Sequence, residues 1–131
     1  MRIDVLTLFP EVFDTPLKAG LLGKGIEAGL LNVVATNIRD FAKDPHRTVD
    51  DSPFGGGPGM VMKCEPLFAA VDSLREVNSL RRVVLMSPRG RRLDQALVKD
   101  LAASPDLVLI CGRYEGVDER VSQALCTEEI S

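Results

Sequence analysis

Short runs rich in apolar residues, unbroken or alternating with polar ones, take turns along the chain with segments whose apolar residues recur at helical spacing. The runs Ile3–Phe9, Leu31–Ile38, Val83–Met86 and Leu107–Cys111 read as strands, being short, rich in β-branched residues and bounded by Pro, Gly or Asp. Pro10 closes the first run and Ser87-Pro88 the third, because proline forces an extended residue before it and cannot donate to a ladder. Residues 16–28, 65–77, 94–103 and 117–125 read as helices. In the second of these, Leu67, Phe68, Val71 and Leu74 share one face. Pro16 stands at a first-turn position, where its missing N–H costs nothing. Strands alternating with helices predict an α/β fold, a parallel sheet with helices on both faces. Residues 39–64 interrupt the alternation as one long loop rich in Gly, Pro and Asp. Internal repeats and low-complexity linkers are absent, so the pattern predicts one domain.

Composition narrows the class. The chain has 131 residues, 45% of them apolar and 27% charged, enough to bury a real core and ordinary for a globular protein. Its apolar runs all fall short of the roughly 20 residues that span a bilayer, so no membrane partner is expected. Three cysteines, Cys64, Cys111 and Cys126, are an odd number without metal-ligand spacing. They read as small core residues with reduced thiols in a cytoplasmic protein, and no metal site is expected. A net charge of −3 argues against a generic nucleic-acid binder. Five arginines nevertheless fall between Arg81 and Arg92. Such a cluster fits either a local phosphate grip or a solvated loop, and composition leaves both open.

Candidate chemistry concentrates in three places. The first is Cys111-Gly-Arg-Tyr-Glu-Gly-Val-Asp-Glu-Arg120, at the end of the last apolar run. Gly112 and Gly116 bracket Arg113, Tyr114 and Glu115 at a strand's carboxyl end, where open α/β sheets place ligands. An Arg and a Glu packed there carry a desolvation cost that a purely structural turn avoids. Tyr114 either stacks on a ligand or packs against the turn. Asp118, Glu119 and Arg120 read as the solvated opening of the last helix, acids there complementing its dipole.

The second place is the long loop, whose centre runs from His46 to Met60. Gly55, Gly56, Gly57 and Gly59, split by Pro58, suit a backbone that approaches a ligand closely or takes positive φ. A tight multi-turn loop without function fits the segment equally well. Asp50 and Asp51 read as turn caps ahead of catalytic bases. His46, the one histidine, lacks partners at ligand spacing and is expected to hydrogen-bond within the loop. The glycine run is not a P-loop, because Met60 and Val61 follow it where Lys and Ser/Thr are required. Gly23-Lys-Gly-Ile-Glu-Ala28 matches the dinucleotide-binding string, but the first strand ends far upstream, so the match reads as chance within a helix. The third place is Ser87-Pro-Arg-Gly90. Adjacent parallel strands would set it beside residues 112–116, as two walls of one crevice.

Taken in order, these strings resemble the bacterial tRNA (guanine-N1)-methyltransferase (TrmD) family of the SPOUT class. The resemblance covers the whole chain, through Leu8-Phe9-Pro10-Glu11, Arg39-Asp40-Phe41, His46-Arg-Thr-Val-Asp-Asp51, Gly55–Met60, Leu85–Gly90 and Cys111–Arg120. It implies a SPOUT fold with a trefoil knot, an exception to the rule against threaded chains. It implies a homodimer that transfers a methyl from S-adenosyl-L-methionine to N1 of guanine 37, beside the tRNA anticodon. On that resemblance Ser87, Pro88, Gly112, Arg113, Tyr114, Glu115 and Gly116 line the cofactor site. Glu115 is also the contact to the target guanine. Gly55, Gly56, Gly57, Pro58, Gly59 and Met60 lie near the target base, and Arg47 and Arg89 are candidates for tRNA phosphate contacts.

The family pattern continues beyond Ser131. The resemblance therefore implies that residues 1–131 are the amino-terminal part of the SPOUT domain, cut near the start of the knot. The general base and the helical tRNA-binding carboxyl-terminal domain would then lie outside them, leaving this chain by itself without activity. Two other functions remain open, a non-catalytic RNA- or nucleotide-binding module and a dimerisation fragment. A requirement for Mg²⁺ is open as well.

Overall fold

The computed structural model describes residues 1–131. Its centre is a five-stranded sheet in the order β2-β1-β6-β5-β7, in which every neighbouring pair is parallel. The strands are β1 (Arg2–Thr7), β2 (Asn32–Asn37), β5 (Val83–Arg91), β6 (Asp106–Cys111) and β7 (Glu128–Ile130). A separate antiparallel pair, β3 (Asp50–Asp51) and β4 (Val61–Met62), forms a small hairpin. The helices are α1 (Gly20–Glu27), α2 (Cys64–Asp72), α3 (Gln95–Ala102) and α4 (Glu119–Ala124). The expected parallel sheet flanked by helices is thus present, and β6 lies at its middle.

The larger core joins Leu6, Val83, Leu85, Val108 and Ile110 of the sheet to Leu67, Ala70 and Val71 of α2 and Val121 of α4. Val49 and Met62, 1% and 0% exposed, plug the small hairpin into this same core. A second cluster of Val84, Leu97 and Ile130 packs α3 on the sheet. Asp4 is fully buried within β1, and its carboxylate accepts from Arg2 Nε and Nη2 at 2.9 Å and from Asn78 Nδ2 at 2.8 Å. Asn78 also donates to Leu107 O and accepts from Leu80 N–H, so no buried side-chain polar atom lacks a partner.

Several sequence expectations are corrected. Residues 16–28 are not one helix but a 3-10 turn at Pro16–Lys18 followed by α1. Ala19 is extended and Gly20 takes φ +58°, which breaks the helix between them. Gly23 then fits against the Lys18 carbonyl, where a Cβ has no room, so the glycine spacing serves packing, not a dinucleotide. The 39–64 segment is not structureless. A 3-10 turn at Ile38–Phe41 and the β3–β4 hairpin organise it, and Gly55–Gly59 form the hairpin's end. The helix expected over 65–77 ends at Asp72.

Val83–Met86 was expected to stop at Ser87-Pro88, yet β5 runs on to Arg91. A register shift between Met86 and Arg91 against β7 places the proline where no ladder bond is required. The strand β7 carries no apolar run and was not foreseen. His46 is exposed, and the loop's hydrogen bonds run instead through Arg39, Arg47, Asp44 and Thr48.

Candidate functional site

The turn after β6 and the end of the β3–β4 hairpin are stitched together by backbone. Glu115 N–H donates to Met60 O at 3.0 Å, Met62 N–H to Gly116 O at 2.9 Å, and Asp118 N–H to Met62 O at 3.0 Å. These rungs continue the parallel bridge Met62–Val117 and hold the glycine loop against residues 115–118. The other wall comes from the end of β5, since Met86 pairs with Cys111. Between the walls lies a cleft of about 430 Å³, reached by Met86, Ser87, Pro88 and Arg89 on one side and residues 112–119 on the other. Pro53, Phe54 and Val61 supply the hairpin side.

Local geometry at the turn is specialised. Tyr114 takes φ +63°, a left-handed conformation that disfavours side chains and occurs at sites where the surroundings enforce it. Gly59 takes φ +85°, and a Cβ there would fall on Glu115 Cγ and within 2.9 Å of Cδ and 3.0 Å of Oε1. Only glycine lets the Glu115 side chain lie against the loop. Gly112 is confined similarly, its absent Cβ lying 3.1 Å from Val117 Cγ2.

Arg113, Tyr114 and Glu115 are all exposed. The desolvation cost expected for Arg113 and Glu115 is therefore not incurred. The Arg113 guanidinium lies over the Phe9 ring at 5.0 Å, and its backbone N–H points at Met62 Sδ at 3.2 Å.

Asp118 departs from its reading as a solvated residue. It is 8% exposed and caps α4 by accepting from Arg120 N–H at 3.0 Å. Its carboxylate also takes Arg120 Nε at 3.0 Å and Nη2 at 2.6 Å. Those charge-assisted bonds hold the Asp118 carboxyl below the usual carboxylate range, against the opposing effect of burial. Arg120, so held, places its guanidinium 5.6 Å from the centre of the Phe54 ring. Arg89 pairs with Glu119 at 3.0 Å across the cleft.

The structure brings Ser87, Pro88, Arg89, Gly112, Arg113, Tyr114, Glu115 and Gly116 together, with Gly59 and Met60 touching Glu115 through the contacts above. It does not bring Arg47 there. Arg47 takes φ +51° and pairs with Asp40, while its carbonyl accepts from Arg39 Nη1 at 3.0 Å. Phe54 and Asp118 were missed as site residues. An aromatic inside a Gly/Pro stretch with no core periodicity was the available signal for Phe54.

A larger groove of about 800 Å³ lies between α2 and residues 41–48. Its rim mixes Lys43 and Lys63 with Asp44 and Asp72, and none of the residues around the two glycine turns reaches it. The smaller cleft, with its strained turn and close glycine contacts, is the better site. Thiol chemistry has no support there, because burial pushes the Cys111 thiol above its ordinary value. No group of three or more His, Cys, Asp or Glu side chains is disposed to hold a metal ion.

Comparison with known proteins fits this geometry. A family model described as tRNA (Guanine-1)-methyltransferase TrmD matches residues 1–131. A protein of Synechocystis sp. (strain ATCC 27184 / PCC 6803 / Kazusa) named tRNA (guanine-N(1)-)-methyltransferase is 58% identical over 131 residues, covering all of this chain and 56% of that protein. One of the same name from Geobacter sulfurreducens is 47% identical over 131 residues and 54% covered. The crystal structure of tRNA (m1G37) methyltransferase from Aquifex aeolicus superposes with a TM-score of 0.91 at 40% identity, covering 100% of this chain and 59% of that one. The chain thus spans about half the length of the curated relatives it matches.

Proposed function

The chain belongs to the tRNA (guanine-1)-methyltransferase family, and from that premise we propose that it carries the cofactor cleft of an enzyme methylating N1 of guanine 37 in tRNA. The observation that carries the reading is the Glu115 carboxylate, lodged against Gly59 at the carboxyl end of the central strand. Guanine N1 is protonated at neutral pH, so its methylation needs the edge recognised and the proton removed. A carboxylate accepts from the N1–H and N2–H edge, and we assign that contact to Glu115. The base that takes the proton, and the helical domain that grips tRNA, are assigned to the part of the relatives' length outside these residues.

The residues present fit S-adenosyl-L-methionine. The cleft of about 430 Å³ lies within the roughly 300–1,000 Å³ usual for small-ligand sites. A cradle without side chains lies at Gly112 and Gly116. We assign Ser87, Pro88, Gly112, Arg113, Tyr114 and Gly116 to holding the cofactor, with Glu115 at the boundary with the base. When bound, the cofactor supplies an electrophilic methyl group. The chain's residues orient the acceptor, and Gly55–Met60 close the side from which the base arrives. Extruding that base costs a few kcal/mol, less in an anticodon loop than in a duplex.

Two copies of the protein and a tRNA complete the proposed assembly, in the cytoplasm. No helix is long and apolar enough to cross a membrane. Of the two candidates for phosphate contacts, Arg89 lines the cleft and is the better placed, exchanging Glu119 for phosphate. Arg47 would act at a distance from it.

The test is methyl transfer from labelled S-adenosyl-L-methionine to transcripts carrying guanine or adenine at position 37. The chain is compared with a chimera in which it replaces the matching segment of the Aquifex aeolicus protein. Label in the guanine transcript alone is expected from the chimera, with and without a chelator settling any role for Mg²⁺. A chimera that labels both transcripts, or neither while its parent is active, overturns the reading.

A further inference from the structure

Phe54 has no structural reason to stand where it does. It is 83% exposed at the head of the glycine loop, yet it lines the cleft that holds Glu115. An exposed Phe ring forgoes the burial that normally justifies an aromatic side chain. Its position is nonetheless fixed from behind. The Arg120 guanidinium lies on the ring at 5.6 Å, and Arg120 is itself held by the buried Asp118 carboxylate. Asp118 is anchored through its N–H to Met62, which is fully buried. A chain of contacts running from the core thus ends at an exposed aromatic ring that lines the cleft.

We propose that Phe54 is a stacking platform for a nucleobase of single-stranded RNA, with Arg120 as the positioning residue that backs it. The proposal rests on the reading of the cleft given above and adds a residue and a contact to it. Unstacked bases are held in RNA-binding sites by aromatic faces, and every base offers one. The adenine of the methyl donor is the other possible source of a π-face. Placement decides between them. Ser87, Pro88 and Gly112–Gly116, assigned above to the donor, form the walls at the ends of β5 and β6, whereas Phe54 stands on the hairpin side, next to the glycine loop assigned to the incoming base.

The chain contains no tryptophan, so Phe54→Trp installs a single tryptophan at the platform, excited selectively over Tyr114 at long wavelength. This variant is titrated with an RNA hairpin whose loop holds consecutive guanines, and separately with S-adenosyl-L-methionine alone. RNA binding by the unsubstituted chain, Phe54→Tyr and Phe54→Leu is followed in parallel by anisotropy of labelled RNA. Stacking predicts quenching by RNA but not by the donor. It also predicts near-parental affinity for Phe54→Tyr and roughly tenfold weaker binding for Phe54→Leu. Because the side chain is exposed, Phe54→Leu leaves the core intact, and circular dichroism verifies this. RNA binding of equal strength in Phe54→Leu, without quenching in Phe54→Trp, overturns the platform while leaving the methyltransferase reading in place. Quenching by the donor alone overturns the assignment to an RNA base. Failure of the unsubstituted chain to bind the hairpin overturns the platform for these residues, and the chimera's methyl transfer then judges the reading separately.

Discussion

Replacing Gly90 by Ala is predicted to destabilise the chain severely, although the substitution adds one methyl group. Gly90 lies in the far part of β5, between the register shift at Met86 and the pair Arg91–Ile130. A Cβ there would fall on the Ile130 amide nitrogen and within 2.6 Å of the carbonyl carbons of Glu129 and Ile130. These are backbone atoms, so no rotamer change relieves the clash and β7 must shift outward. Ile130, 2% exposed, packs in the same cluster as Val84 and Leu97. Thr127 N–H donates to Val83 O at 2.8 Å, Ser131 N–H to Arg91 O at 2.9 Å and Leu93 N–H to Ser131 O at 2.8 Å. Overpacking against rigid neighbours costs about 1–3 kcal/mol. Releasing the strand instead forfeits about 1.5–3 kcal/mol of Ile130 burial, with about 0.5–1.5 kcal/mol more for each hydrogen bond lost.

The cheaper route governs, so the expected loss is that of overpacking, about 1–3 kcal/mol, a substantial part of the roughly 5–15 kcal/mol that stabilises a domain. Urea denaturation followed by circular dichroism gives the difference, provided the transition is cooperative. Gly25→Ala is the internal control. It lies within α1 with no atom within 4 Å of its absent Cβ. Ala there should raise stability by about 0.5–1 kcal/mol, the opposite sign. A Gly90→Ala variant within about 0.5 kcal/mol of the parent would refute the packing argument at the sheet edge.

Asp118→Asn should lower stability at neutral pH by at most about 1 kcal/mol, through loss of the charge-assisted bonds to the half-exposed Arg120, because the amide oxygen still caps α4. Arg120 depresses the folded-state pKa, so the parent's advantage is complete above the unfolded value of about 4 and is lost as pH falls through the lower folded value. Denaturation curves that fail to converge on acidification would contradict this. Cys126, whose thiol burial and the nearby Glu129 push up to about 11, should alkylate at pH 8 on the order of a hundredfold more slowly than a free thiol. Iodoacetamide labelling read by peptide mass, with and without urea, checks it, and equal rates would show the thiol unperturbed. Tyr114→Gly should relieve the left-handed strain at φ +63° and raise stability by about 1 kcal/mol while impairing cofactor or RNA binding. A thermal melt paired with a binding titration tests both halves.

The parts of the fold legible beforehand were those whose cause is local. β1 and β6 announce themselves because strands buried along much of their length are rich in apolar residues, and β2, a half-buried edge strand, because its β-branched residues are interspersed with polar ones. β7 hides because it is a short edge strand bearing two acids whose partners are remote. Glu128 pairs with Arg82 at 2.8 Å, and Glu129 accepts from Ser122 Oγ at 2.5 Å. The continuation of β5 past Pro88 was hidden for a related reason, since the bulge that tolerates the proline depends on β7 being there. At the site, the Gly112–Gly116 turn and the Gly55–Gly59 stretch were readable from backbone demands alone. Phe54 and Asp118 were not, because their roles arise from the Met62–Val117 bridge, which joins segments far apart in the chain.

That bridge also explains how so exposed a turn can be well defined. Arg113, Tyr114 and Glu115 gain little from burial, and the left-handed Tyr114 costs about 1–2 kcal/mol. Compensation comes from main-chain bonds, Glu115 to Met60, Met62 to Gly116 and Asp118 to Met62, closed over a Met62 and a Val121 that are fully buried. None of these bonds uses the side chains of residues 113–115. The fold therefore sets where those side chains start without consuming their polar groups, and Gly59 clears the space that the Glu115 side chain occupies. Stability and chemistry are thus carried by different atoms of the same turn. It follows that Glu115→Gln should alter methyl transfer by the chimera far more than it alters the chain's denaturation midpoint.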